Sequence, residues 1–111
     1  MCIRDRLSIG ELEQQARDNP QDVAAQQELG FARFERQEFA EAVAAYERAV
    51  ALDDSNAVMW SSLGEARVMA SQRDPLPKAA LDAFEKALER DPDDPRARYF
   101  MAVKKLSLIH I

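Results

Sequence analysis

The stretch LGFARFERQEFAEAVAAYERAVALDDSN, residues 29–56, aligns with a second stretch, LGEARVMASQRDPLPKAALDAFEKALERDPDD, residues 63–94. The Leu-Gly pairs that open the two copies lie 34 residues apart, whereas Tyr46 and Phe84 in the second halves lie 38 apart. The second copy therefore carries four extra residues, which fall within ASQRDPLPK, residues 70–78. A repeat of this period indicates an array of stacked supersecondary units.

Turn residues divide the chain into six apolar stretches of helical length. Asn19-Pro20, residues 53–56 and residues 91–95 supply turns and helix N-caps, and Pro77 suits the first turn of a helix. The sequence predicts helices near residues 8–18, 23–36, 39–52, 57–71, 77–90 and 95–105.

Both copies resemble the tetratricopeptide repeat, whose pattern is Trp, Leu-Gly, an aromatic residue, Ala, Phe or Tyr, Ala and Pro over about 34 residues. The residues that carry the resemblance are Leu29, Gly30, Phe39, Ala42, Tyr46 and Ala49 in the first copy, and Trp60, Leu63, Gly64, Ala80, Phe84, Ala87 and Pro92 in the second. The pattern is broken at Arg33 and Arg67, where an aromatic residue is usual, and at Asp54, where Pro would close the first repeat. The resemblance implies an all-α fold, a short right-handed α-solenoid of helix-turn-helix repeats.

The repeat register divides residues 7–105, taken as a single domain, into about two and a half repeats. Its parts are a half-repeat helix at residues 8–20, repeat 1 at 23–56, repeat 2 with the four-residue insertion at 57–94, and the first helix of repeat 3 at 95–105.

Residue sizes at matching positions of the two copies predict how the helices pack. Small residues are expected where two antiparallel helices approach closely, at Gly30, Gly64, Ala42, Ala80, Ala49 and Ala87. Larger residues are expected to fill the space between repeats, namely Leu29, Leu63, Tyr46, Phe84 and Trp60.

The two ends, MCIRDR at residues 1–6 and LSLIHI at residues 106–111, can be encoded by one DNA sequence read in opposite orientations. This inverted pair resembles a transposase adapter from sequencing libraries, so both ends are expected to be translated adapter rather than native protein. Cys2 and His110, the only cysteine and the only histidine, lie within these ends. The native segment is therefore expected to carry neither a thiol nor an imidazole.

The composition argues against several classes of function. A segment without Cys or His has no ordinary thiol nucleophile, His base or Cys/His zinc set. A formal net charge of -5 without a basic stripe argues against a nucleic-acid surface. The segment has no run of about 18 apolar residues, so no membrane contact is expected from it. The acidic DPDDP, residues 91–95, lacks the Gly turn and late Glu of a calcium loop and indicates a turn with an N-cap. The sequence thus predicts no enzyme, no metal site and no cofactor.

The first helix of each tetratricopeptide repeat lines a concave groove, so the resemblance implies a protein- or peptide-binding surface there. The repeat register gives as groove candidates Gln27, Phe31, Phe34, Ser61, Glu65, Val68, Met69, Arg96, Tyr99 and Val103, with Ala24, Glu35 and Val58 beside them. This apolar surface with scattered charges suits an amphipathic helix. The alternative is that Phe31, Phe34 and Val68 pack the core, because helical periodicity does not separate core from groove.

Chaperone-binding modules of this family hold a C-terminal carboxylate with Lys and Asn on the same face. The corresponding positions here are Gln27 and Phe31 in repeat 1, and Ser61 and Glu65 in repeat 2. The resemblance therefore implies that the carboxylate clamp is absent and that a chaperone tail is not the ligand.

Three segments narrow the resemblance further: LEQQARDNPQD at residues 12–22, WSSLGEARVMAS at 60–71, and ALDAFEKALERDPDDPRARYFMAVKK at 80–105. With the long middle loop, they resemble the periplasmic repeat domain of the bacterial c-type cytochrome biogenesis protein. That resemblance implies a non-enzymatic chaperone, part of an inner-membrane-anchored parent, that captures the C-terminal helix of apocytochrome c and serves the haem-ligation complex. It also implies a structural role for Trp60. The alternative is a general scaffold, cytoplasmic or envelope-associated, for another peptide.

Overall fold

The computed structural model describes residues 8–71 and 76–109, with side chains placed at 8–71 and 76–105. The described residues form six helices and no strand: α1 (Ile9–Asp18), α2 (Val23–Glu35), α3 (Phe39–Leu52), α4 (Ala57–Ala70), α5 (Lys78–Arg90) and α6 (Pro95–Ile109). The predicted bounds agree to within one residue everywhere except at the end of α6, which continues past the predicted residue 105 to Ile109. The all-α prediction is confirmed.

Some sequence predictions fall outside the described residues. They concern the N-terminal stretch 1–6 with Cys2, most of the repeat-2 insertion at residues 72–75, and His110 with Ile111 at the C-terminal end. The adapter-like origin of both ends stays a prediction.

Consecutive helices stack in an elongated array of 47 × 27 × 27 Å. The α2 helix packs mainly on α3 and the α4 helix on α5, while the α3–α4 contact joins the two helical hairpins. The α4 helix also contacts α6, the first helix of the next repeat. This arrangement brings α2, α4 and α6 to one face of the molecule.

One glycine in each helical hairpin, Gly30 or Gly64, permits the close approach of its two helices. A Cβ at Gly30 would lie 2.9 Å from the Tyr46 ring, and a Cβ at Gly64 would lie 2.5 Å from the Phe84 ring. Both rings are buried, Tyr46 at 4% exposure and Phe84 at 0%. Six further residues of the packing prediction are also buried, namely Leu29, Ala42, Ala49, Leu63, Ala80 and Ala87, whereas Trp60 is half-buried.

Trp60 lies at the joint between the two hairpins, packed against the apolar clusters on both sides. Its indole Nε1 donates a hydrogen bond of 2.8 Å to the carbonyl oxygen of Asp54, which also accepts from Arg90 Nε. The Arg90 guanidinium lies 5.4 Å from the Trp60 ring centroid and the Lys86 ammonium 5.6 Å, within the range of a cation–π contact. Trp60 and Asp54 therefore fix the turn where proline was expected.

Arg33 and Arg67, which replace the usual aromatic residue, make equivalent contacts in the two repeats. Arg33 on α2 forms an ion pair with Glu13 on α1. Arg67 on α4 forms an ion pair with Glu47 on α3, with 3.0 Å between Nη2 and Oε2. Glu13 and Glu47, like the two arginines, are 34 residues apart. Each arginine is only about one-fifth exposed. The departures from the repeat pattern therefore form a repeated ion pair between one repeat and the preceding helix.

The turn between α2 and α3 closes through Gln37, which has a positive φ of 66°. Its amide donates to the carbonyl of Phe34 at 2.9 Å, and the amide of Glu38 donates to the carbonyl of Arg33 at 2.9 Å. These two bonds are those of a Schellman C-cap, in which the left-handed position normally holds glycine.

A pair of substitutions tests the strain at Gln37. Gln37→Gly is expected to raise the free energy of unfolding by about 0.5 kcal/mol, because relief of the left-handed penalty outweighs the added entropy of the unfolded chain. Gln37→Val should lower it by about 1 to 2 kcal/mol, because a β-branched residue tolerates this conformation poorly. Urea unfolding of both variants checks the two signs; a glycine variant that is less stable than the parent would contradict the account.

Candidate peptide-binding groove

An open groove of about 1190 Å³ runs along the face formed by α2, α4 and α6, with α1 as one wall. The residues that line it are Ser8, Ile9, Leu12, Gln15, Ala24, Gln27, Glu28, Phe31, Ala32, Glu35, Arg36, Tyr46, Val58, Ser62 and Arg96. The α2 helix contributes more of them than any other helix and forms most of the floor.

Four large apolar side chains in the described part of the chain are exposed: Phe31 at 56%, Val58 at 52%, Met69 at 49% and Tyr99 at 63%. All four belong to α2, α4 or α6, the first helices of the repeats. Scattered exposed apolar residues need no explanation, but two of these four, Phe31 and Val58, lie together in the groove and make it a candidate interaction surface.

The structure brings only part of the predicted set into the groove. Among the ten site candidates, Gln27, Phe31 and Arg96 line it, and the adjacent Ala24, Glu35 and Val58 do so as well. Met69 and Tyr99 are exposed on the same helices but lie outside the lining, and Val103 is half-buried on α6.

Three of the predicted groove residues lie elsewhere, which corrects the prediction for them. Phe34 is half-buried, packs edge-to-face on Phe39 at 5.2 Å between ring centroids and contacts the first core cluster. Val68 packs against the second cluster. Ser61 is fully buried. Helical periodicity predicted these side chains in the groove, but they pack against neighbouring helices instead, because periodicity does not separate groove from core.

Ser61 instead belongs to a buried polar joint between α4 and α6. Asp94 is the N-cap of α6, since its Oδ2 accepts from the amide of Ala97 at 2.9 Å. The other oxygen, Oδ1, accepts from the Ser61 hydroxyl at 3.4 Å. Because Asp94 is 97% buried, this capped carboxylate fixes where α6 begins and so where Arg96 enters the groove.

Arg96 contacts three residues of α4. Its Nη1 donates to the hydroxyls of Ser61 at 3.2 Å and Ser62 at 2.9 Å. Its Nε lies 2.8 Å from a carboxylate oxygen of Glu65. Glu65, a predicted groove residue, thus acts as the counter-ion of Arg96 at the edge of the groove.

Sequence reasoning missed several lining residues, above all Glu28, Tyr46 and Ser62. Tyr46 carried a packing signal only, yet this buried side chain also lines the groove floor together with Ser62. Glu28 could have been found, because Ala24, Glu28, Phe31 and Glu35 follow the i, i+4, i+7, i+11 spacing of one helical stripe. The lining residues of α1 could not be predicted, because the sequence does not show how that helix packs on α2.

Tyr46 provides a pH-dependent test of this floor. Burial raises the pKa of Tyr46 to about 12, against the opposing influence of the Arg96 charge and the Ser62 hydrogen bond. A raised pKa in the folded state means that the stabilisation is complete below the unfolded value of about 10 and is lost as the pH rises from there through 12. In a Tyr99→Phe variant, phenolate absorbance should therefore titrate near pH 12 while stability declines above pH 10. A midpoint near pH 10 in the folded protein would contradict this placement.

A second hollow, of about 440 Å³, lies on a different face of α2. Its lining consists of Glu13, Ala16, Arg17, Pro20, Gln26, Leu29, Arg33, Glu41, Ala44 and Arg48. Arg33 is paired there with Glu13, and Arg48 donates to buried Gln26 at 2.9 Å. Its polar groups are largely satisfied internally, so the groove is the better candidate for a ligand.

At residues 8–71 and 76–105, no three His, Cys, Asp or Glu side chains are grouped closely enough to hold a metal ion. In the same part of the chain, no helix has the length and apolarity needed to cross a membrane. The groove combines half-exposed apolar side chains with a few charges, which is an arrangement for binding.

Comparisons with known proteins agree with this geometry. Residues 30–69 match the family model described as TPR repeat. No curated protein sequence matches the chain. The structure is similar to the first TPR of Spaghetti (RPAP3), solved bound to the HSP90 peptide SRMEEVD, with a TM-score of 0.78 at 23% identity over 91% of this chain and 77% of that one. The chain therefore has the tetratricopeptide-type all-helical repeat fold.

Proposed function

We propose that this chain is a non-enzymatic protein-binding module that holds an amphipathic helix in the groove between α1, α2, α4 and α6. The observation that carries the proposal is the half-exposure of Phe31 and Val58 inside that groove. A helix with side chains is about 10 to 12 Å across, and its apolar stripe would bury both side chains at once. Recognition of this type uses anchors at i, i+3, i+4 and i+7 of the bound helix.

The bound helix is, in this proposal, the C-terminal helix of an apocytochrome c, and the module acts as its chaperone in c-type cytochrome maturation. Support comes from the resemblance of residues 12–22, 60–71 and 80–105 to the corresponding biogenesis protein. The proposal places the module in the periplasm, within an inner-membrane-anchored parent that serves the haem-ligation complex. A general scaffold for another amphipathic helix, cytoplasmic or envelope-associated, is the alternative.

An acidic tail such as the HSP90 peptide of the similar structure suits this groove poorly. The clamp positions hold Gln27, Phe31, Ser61 and Glu65. Of these, Ser61 is buried and Glu65 is paired with Arg96. None of the four offers a free cation to a carboxylate, so binding of that peptide is not carried over to this chain.

The test is binding of a fluorescently labelled peptide with the sequence of an apocytochrome c C-terminal helix. Phe31→Ala should weaken its binding about tenfold to a hundredfold, because truncation of a central aromatic anchor typically costs about 1.5 to 3 kcal/mol. Met69→Ala, an equally exposed apolar residue outside the lining, serves as the matched control and should change Kd less than about twofold.

Two outcomes separate the alternatives. Equal binding of the native and the scrambled peptide would overturn the apocytochrome assignment. Equal weakening by Phe31→Ala and Met69→Ala, or no binding of any amphipathic helix, would overturn the groove itself.

A further inference from the structure

The floor of the groove carries two carboxylates without a counter-ion. Glu28 and Glu35 lie on α2, one on each side of Phe31 along the same helical stripe. Both side chains are exposed and neither makes an ion pair within the described residues. Along the axis of α2, each glutamate lies about one helical turn, about 5.4 Å, from Phe31.

The cations of the groove, in contrast, are already neutralised. Arg96 is held by Glu65 at 2.8 Å and by the hydroxyls of Ser61 and Ser62. Arg36 lies 3.4 Å from a carboxylate oxygen of Glu38. The charge that the groove presents to a ligand is therefore negative, although the lining contains acidic and basic residues in equal number.

We propose that the groove selects an amphipathic helix whose polar edge is basic, and that a Lys or Arg of this edge lies beside Phe31, between Glu28 and Glu35. This inference rests on the proposed function and states the charge of its ligand. A cation within about 6 Å of an aromatic centroid is attracted to the ring face. Flanking carboxylates add charge pairing, which favours the matching partner and opposes an acidic one.

The same geometry predicts that the groove rejects an acidic peptide. The peptide SRMEEVD in the similar structure has three acidic side chains. In this groove such side chains would face Glu28 and Glu35 without access to a free arginine, because Arg96 is occupied. Like charges brought together across an interface select against the wrong partner.

The experiment uses two synthetic helical peptides of about 18 residues, roughly five turns, with the same leucine face. One carries Lys and the other Glu along both edges of that face. The protein is expected to bind the Lys peptide about tenfold more tightly than the Glu peptide at low salt, and added salt should reduce the ratio. Fluorescence anisotropy of the labelled peptides gives both dissociation constants.

Charge-reversed variants locate the effect. Glu28→Lys/Glu35→Lys should reverse the preference, and Glu28→Gln/Glu35→Gln should abolish it. The matched control, Glu41→Lys/Glu85→Lys, makes the same change in net charge at exposed glutamates outside the groove and should keep the preference for the Lys peptide. Circular dichroism confirms that each variant is folded before binding is measured.

The outcomes distinguish this inference from the function on which it rests. If both peptides bind equally, or if the control variant reverses the preference as strongly as the groove variant, the inference is overturned and the groove remains a general helix-binding site. If neither peptide binds, the proposed function is overturned and the inference with it.

Discussion

Gly64→Ala is expected to destabilise the protein by about 2 to 3 kcal/mol, although alanine is the better helix former by about 1 kcal/mol. The reason is the Phe84 ring, three of whose carbons would lie 2.5 to 2.8 Å from the new Cβ. The ring has no room to retreat, because it is fully buried and stacks on Phe100 with centroids 4.7 Å apart. The two helices must separate instead. Urea unfolding measures the loss.

The other two glycines provide graded controls for this result. Gly10→Ala is expected to stabilise the protein by about 0.5 to 1 kcal/mol, since its nearest neighbour, the Ser8 hydroxyl, lies 3.8 Å away. Gly30→Ala should fall between the two, because its Cβ would lie 2.9 Å from the Tyr46 ring. A Gly64→Ala variant as stable as the parent would show that the helices are not packed as closely as described.

Phe84→Ala is expected to be the most damaging single substitution considered, with a loss of about 3 to 5 kcal/mol. Among the described residues, Phe84 is the largest fully buried side chain, and it belongs to the cluster that joins α4, α5 and α6. Such a loss is a large fraction of the 5 to 15 kcal/mol that typically stabilises a domain. The matched control is Tyr99→Ala, which also removes an aromatic ring in contact with Phe100 but is 63% exposed and should cost about 1 kcal/mol or less.

A double-mutant cycle measures the coupling between Gly64 and Phe84. In a Phe84→Leu background, the Gly64→Ala penalty is expected to fall by about 1 to 2 kcal/mol, because the ring that meets the new Cβ is gone. Strict additivity would mean that glycine and ring act independently, which the contact between them does not allow.

Most of the fold was predictable from the sequence because packing in this repeat depends on residue size at fixed positions. Gly30 and Gly64 with Tyr46 and Phe84 gave the register, and the proline and asparagine turns gave the helix ends. The end of α6 was not predictable, since no capping or turn residue follows the predicted end at Lys105 before Ser107.

The two arginines at aromatic positions were less informative as single residues than as pairs. Arg33 and Arg67 weaken the match to the repeat, but Glu13 and Glu47 show the same 34-residue spacing. The shared 34-residue spacing of two arginines and two glutamates is a sequence signal that predicts the two ion pairs. Sequence comparison within one repeat could not do so, because each bond joins two repeats.

The groove was predictable in position but only partly in composition. Phe31 and Arg96 follow from the register, whereas the burial of Ser61 depends on Asp94, which lies 33 residues away. Likewise, the neutralisation of Arg96 by Glu65 is a tertiary contact between α4 and α6. Periodicity identifies which helix contributes to a surface, but the choice of side chain depends on what packs behind it.

Binding of an amphipathic helix in the groove can be mapped by backbone amide chemical shifts on titration with the apocytochrome c peptide. The largest changes are expected at Ala24, Glu28 and Phe31 on α2 and at Val58 and Ser62 on α4, all of which line the groove. Changes concentrated in the second hollow instead, or no change at saturating peptide, would contradict binding in the groove.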